Sequence, residues 1–152
     1  MSEVTWVSPV SILDSKILGV TFKMNEEAEL SHARRSLAMS ASIDAPSVTE
    51  GRLVGKCVLG ASGDWFSGDE GGAPVFVASC EVGIVVAVDL EVVAELNDYE
   101  KAKYVSANAL SLAYGKIRAC IETITAESPV GRQTLPAIDP YALLESLQGE
   151  QS

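Results

Sequence analysis

The residues that could do chemistry are few and scattered. The single histidine, His32, stands in a charged stretch. No Ser, Cys or Asp is matched to it by a known nucleophile motif. The three cysteines, Cys57, Cys80 and Cys120, form no CxxC pair. They suggest neither a zinc site nor a disulfide framework, and three free thiols fit a reducing compartment. Glycine-rich phosphate loops, GxGxxG and HExxH are all missing. The run Gly68-Asp69-Glu70-Gly71-Gly72 is acidic and flexible, but it lacks the ligand spacing of a calcium loop. It reads as a solvated loop. Catalytic residues, a metal site and a cofactor are therefore not expected. A carboxylate pair formed by folding would escape this reading.

Charge carries more information. The chain has 152 residues, 21 acidic and 11 basic, for a net charge of −10. Nucleic acid is a poor partner for such a chain, because phosphate binding needs clustered Lys and Arg. Between Cys57 and Glu100 there are nine acidic residues and no basic one. Either this acidity keeps the protein soluble, or an acidic surface docks a basic or zinc-bearing partner segment. Residues 1–10 carry Glu3 and no Lys or Arg, so no signal peptide is expected. The longest strongly apolar run, 84–88, is far too short to span a bilayer. A soluble, cytoplasmic protein with no membrane insertion is expected.

The elements that must position these residues read as strands first and helices afterwards. That order predicts an α+β fold in one domain over 1–152. The clearest strand is 75–89. Its even positions, Phe76 to Val88, are all apolar, and Glu81 falls on the other face. Residues 37–45 and 52–59 alternate too, with a turn at 46–51 between them. Residues 10–24 are extended, with a break near Asp14 and Lys16 that marks a bulge or an edge. Residues 25–35 and 61–73 read as loops. Trp65 and Phe66 fall in the second. They either fold back onto the core or form an exposed aromatic pair that contacts a ligand.

The second half is helical. Residues 90–97 could form a short helix, and Asp98 is a candidate N-cap for a long one reaching about Ala126. Its apolar stripe is Val105, Ala109, Leu112, Ala113, Ile117, Cys120, Ile121 and Ile124. Asn108, Ser111, Gly115, Arg118, Glu122 and Thr125 make the polar face. Pro129 and Gly131 end the helix. An extended piece, 134–138, follows. Asp139 caps a last helix with Pro140 in first position, and 148–152 read as a loose tail.

The C-terminal third carries a resemblance. Arg118-Ala119-Cys120-Ile121 is followed by Gly131, Thr134-Leu135-Pro136-Ala137-Ile138-Asp139 and Tyr141-Ala142-Leu143-Leu144. Before them stand Val75-Phe76-Val77 and Cys80-Glu81-Val82. This resembles the end of the protein-export chaperone SecB and its relatives. The resemblance implies a four-stranded antiparallel sheet with a long and a short helix packed on one face. It implies a homotetramer, a dimer of dimers, with apolar grooves that hold unfolded polypeptides or preproteins without ATP. It also implies a docking face for the export motor SecA, where Glu81 and Asp14 are the candidate acidic residues. Phe22, Trp65, Phe66 and Tyr104 are candidates to line the groove, each with an alternative place in the core or an interface. The family also includes chaperones dedicated to one client, such as toxin–antitoxin chaperones. A small enzyme or ligand-binding α+β domain is the reading from another class, and a deep pocket with convergent titratable groups would mark it.

Overall fold

A computed structural model describes residues 8–24, 34–66, 74, 76–128 and 131–150. The strands are β1 (Ser11–Met24), β2 (Arg34–Ile43), β3 (Ser47–Thr49), β4 (Arg52–Phe66) and β5 (Phe76–Asp89). The helices are α1 (Asp98–Ala126) and α2 (Pro140–Glu150). The sheet is antiparallel in the order β1-β5-β4-β2, with short β3 also paired to β4. This is an α+β fold with both helices after the sheet. Four long strands match the expectation, and β3 is the addition.

Strict alternation builds the middle of the sheet. Phe76, Ala78, Cys80, Val82, Ile84, Val86 and Val88 of β5 are all buried beneath α1. In β4 the same side carries Leu53, Gly55, Cys57, Leu59, Ala61, Gly63 and Trp65. The strand therefore continues through Phe66, across residues whose polarity reads as a loop. Gly55, Ala61 and Gly63 supply the alternation without supplying hydrophobicity, which hides the period. Residues 25–33 and 67–73, the remainder of the expected loops, lie outside the described residues.

The expected turn at 46–51 contains β3. Strand β2 runs in register with β4 as far as Ile43 opposite Cys57, and β3 resumes with Ser47 opposite Val54. The interruption falls at Asp44–Pro46, where Pro46 has no N–H to give the ladder. Glu50 and Gly51 then close a two-residue hairpin, both with positive φ (52° and 78°). That backbone matches the twist of the strands it joins.

Edge strand β1 has register shifts between Ile12 and Asp14 and between Ile17 and Gly19. Leu13 and Leu18 are the extra residues, so the break expected near Asp14 and Lys16 is a pair of bulges on an edge.

Asn97, not Asp98, caps α1. Its Oδ1 accepts from the Glu100 N–H (2.8 Å), and Glu100 Oε1 accepts from the Asn97 N–H (3.3 Å). This reciprocal box satisfies two orphan donors at once. The short helix expected over 90–97 is instead a run of turns. Val92, Val93 and Leu96 each bond the carbonyl three residues back, and Val93 is fixed in the core. Two adjacent β-branched valines favour this over a helical turn.

Helix α1 lies over β4 and β5. It buries Val105, Ala109, Leu110, Ala113, Tyr114, Ile117, Ile121 and Thr125. Leu110 and Tyr114 belong to the buried face although the expected stripe omits them. Thr125, expected on the polar face, is buried because its hydroxyl bonds the Ile121 carbonyl at 2.7 Å. Asp139 caps α2 as expected, accepting from the N–H groups of Tyr141 (3.0 Å) and Ala142 (3.3 Å). Leu144 and Leu147 dock α2 into the core. The helix extends through Glu150, past the point where the pattern places a tail. Among the described residues no helix is long and apolar enough to cross a membrane.

Because α1 does not reach over β1, the helix-side residues of that strand stay open. Ile12, Ile17, Val20 and Phe22 are 51%, 49%, 47% and 44% exposed. Lys116 of α1 reaches across to Ser15 Oγ at 2.8 Å.

All three thiols are free, and Cys80 of β5 and Cys120 of α1 are near enough to act on one another. Burial pushes the Cys57 thiol up to about 11, with nearby Asp44 adding to the effect. Burial pushes Cys80 up to about 12, helped by Cys120 and opposed by Lys116. Thiolate is the reactive form, so both should resist alkylation near neutral pH. A maleimide titration of the native protein should label Cys120 alone, and all three cysteines in denaturant. Rapid native labelling of Cys80 would contradict the packing of α1 on β5.

Candidate functional site

The helix side of the sheet carries an apolar cavity of about 50 Å³ at its β2 end. Leu37 and Met39 come from β2, Gly63 and Trp65 from β4, and Tyr114 and Ile121 from α1. Leu135, Pro136 and Ile138, from the segment between the helices, close the far wall. Among the described residues β2 is an edge of the sheet, so the cavity opens at an edge strand.

Each wall is held by identifiable bonds. The Trp65 ring lies over Gly63, where a Cβ would fall 2.7 Å from the indole. Its edge meets Phe76 at 4.9 Å, and its Nε1–H donates to Gln133 Oε1 at 3.2 Å. The Gln133 N–H donates to Thr125 Oγ1 at 2.8 Å, which ties the inter-helix segment to the end of α1. Arg35 Nη1 donates to the Thr134 carbonyl at 3.1 Å, and the Tyr114 hydroxyl donates to the Pro136 carbonyl. Burial raises the Tyr114 phenol above its ordinary value, while the charges of Arg118 and Arg35 pull it down. Arg132 pairs with Glu122 at 2.8 Å, and this bond, seconded by Thr134, holds the Glu122 carboxyl below its ordinary value.

Of the residues singled out in the sequence, Trp65 lines this cavity and is 2% exposed. Phe66 points to the opposite face of β4, so the two neighbouring rings do not act as a pair. Phe22 packs edge-on against Phe76 at 4.9 Å and forms the exposed end of a row that runs through Phe76 to Trp65. Tyr104 is half-buried against the core toward the other end of α1. Sequence reasoning missed Tyr114, Leu135 and Pro136. Tyr114 could have been found from its spacing, three residues before Ile117 and seven before Ile121 on one helical face.

Glu81 stands exposed on the outer face, in register with Gly19 and Gly60. Around it Ser40, Ser62, Ser79 and Thr21 line a shallow furrow of about 380 Å³. Asp14 is in register with Val85, four residues along β5 from Glu81, or about 13 Å at the usual strand rise. The fold therefore does not bring the two carboxylates together, and Asp14 lies 3.5 Å from Lys16. Lys16, Lys23 and Lys56 interleave with the acidic side chains, so the outer face is mixed in charge. The acidic stretch 57–100 suggests otherwise because these lysines come from outside it. Among the described residues no three His, Cys, Asp or Glu side chains group to hold a metal.

No protein-family model matches this sequence, and neither does any curated protein. Among solved structures, the Rv1957 SecB-like chaperone of Mycobacterium tuberculosis, in complex with a ChAD peptide from the Rv1956 HigA1 antitoxin, matches with a TM-score of 0.56. The match covers 86% of this chain and 91% of that one at 16% identity. The chain has a SecB-like fold.

Proposed function

We propose that this protein is a polypeptide-holding chaperone of the SecB-like kind. It captures extended, non-native segments in the cavity between β2, α1 and the inter-helix segment, without nucleotide. The observation that carries this reading is an almost wholly apolar cavity opening at β2, an edge strand among the described residues. An extended chain laid along β2 can set an apolar side chain at the mouth of this small cavity. Burial contributes roughly 25 cal/mol per Å² and asks for no particular sequence. Holding then works by mass action on the unfolded state. The exposed apolar side of β1 favours self-association, in keeping with a dimer of dimers. Hand-over to SecA in the cytoplasm would use Glu81, the carboxylate at the centre of the outer face.

A second reading, a chaperone dedicated to one partner, is favoured by the mixed charge of that outer face. The antitoxin peptide bound by the Rv1957 chaperone supports it.

Light scattering on dilution of an unrelated, chemically unfolded client tests the proposal. Near-stoichiometric suppression is expected, and Leu37→Asp should lose most of it while keeping the wild-type circular dichroism, because Leu37 is 39% exposed at the cavity rim. No suppression by folded wild-type protein would sink the general reading and leave the dedicated one.

A further inference from the structure

The cavity is small and its inner walls are fixed. An apolar cavity of about 150 Å³ takes benzene, about three times the 50 Å³ available here. The branched end of a Val, Leu or Ile side chain is the closer match. Trp65 is held in place, since Phe76 meets its edge, Gln133 accepts its N–H, and Gly63 lies beneath it. Tyr114 is 5% exposed, and its hydroxyl donates to the Pro136 carbonyl. Ile121 and Leu135, two further walls, are buried as well. Displacing either ring would leave a donor without its acceptor, which is costly among apolar neighbours. The side that can yield is the rim, where Leu37 is exposed and Met39 half-buried. A ring laid across that rim keeps one face in water and so gains less burial than a side chain that enters.

We propose that the cavity takes one aliphatic side chain of a held segment, the size of Val, Leu or Ile, and turns aromatic rings away. Burial alone ranks Phe with Leu, because both side chains gain similarly on leaving water. The volume between Trp65, Tyr114, Ile121 and Leu135 is what separates them. These four side chains are therefore specificity-determining walls, and Leu37 and Met39 guide the entry. This selectivity rests on the polypeptide-binding reading of the cavity.

An NMR titration of the full chain with short unstructured peptides tests it. The peptides are polar and identical except at one position, which is Leu, Phe or Ala. The readout is the indole N–H resonance of Trp65, told from that of Trp6, the other tryptophan, by a Trp6→Phe control. The Leu peptide should bind about tenfold tighter than the Ala peptide, as burying about half of its three extra carbons would give. The Phe peptide should bind no tighter than the Ala peptide. Leu135→Ala enlarges the cavity and should bring the Phe peptide level with the Leu peptide. If that variant does not fold, Ile138→Ala, at a half-buried wall, should narrow the gap between them about threefold. Phe binding as tightly as Leu to the wild-type protein overturns the size selection and leaves the cavity reading standing. Failure of every peptide to shift the Trp65 resonance overturns both. A folded variant that keeps the wild-type ranking also overturns the selection, since the ranking would then not come from the volume of the cavity.

Discussion

Gly55→Val is expected to destabilise the protein by about 3 kcal/mol or more, the upper end of what overpacking a core costs. A Cβ at Gly55 would fall 2.2 Å from Val105 Cγ1, and Val105 is fully buried where α1 crosses β4. Valine favours strands by less than about 1 kcal/mol, so the clash decides the sign. Either Val105 leaves its rotamer or α1 lifts from the sheet. Urea unfolding checks this, and Val105→Ala in the same chain should recover much of the loss, because it removes the atom that is struck. A Gly55→Val protein as stable as wild type would show that the helix does not approach the sheet there.

Trp65→Ala should cost about 3–5 kcal/mol, the range for truncating a buried aromatic. At about 2–4 °C per kcal/mol for a chain of this size, the melting temperature should fall by about 10 °C. The loss has three parts: the ring's contact with Phe76, its cover over Gly63, and the N–H bond to Gln133. Trp65→Phe keeps the first two in part, so its added deficit should be nearer 1 kcal/mol, the usual net worth of one hydrogen bond. Thermal melts of the two variants separate these shares. Equal losses would mean that the indole N–H, not the ring, holds the wall.

The elements legible in the sequence are those whose period is written in large side chains. The alternation from Phe76 to Val88 gives β5 its face, and Asp139-Pro140 starts α2, because both signals are local. The second half of β4 is hidden because its buried positions include Ala61 and Gly63, whose smallness is the point. Gly63 is the floor on which Trp65 lies, a relation visible only once the ring's direction is known. Asn97 and Asp98 are both good caps in sequence, and the reciprocal bond with Glu100 selects the earlier one. The cavity was half legible. Trp65 stood out by its bulk in a polar stretch. Tyr114, Leu135 and Pro136 meet it only through the return of the inter-helix segment along the sheet, a tertiary event with no local period. Glu81 and Asp14 share only their chemistry, and the register of β1 on β5 sets them apart.

That register also orders events during synthesis. Among the described strands β1 leaves the ribosome first and its partner β5 last. Ser11 must wait for Ala87, and Met24 for Phe76. The β3–β4 hairpin, with Thr49 opposite Arg52, closes with almost no loop entropy, whereas seating β1 closes the longest loop in the sheet. Ile12, Ile17, Val20 and Phe22 therefore travel unpaired until β5 emerges. Lys16 and Lys23, set among them, are the charges that keep a nascent apolar strand from pairing with the wrong neighbour.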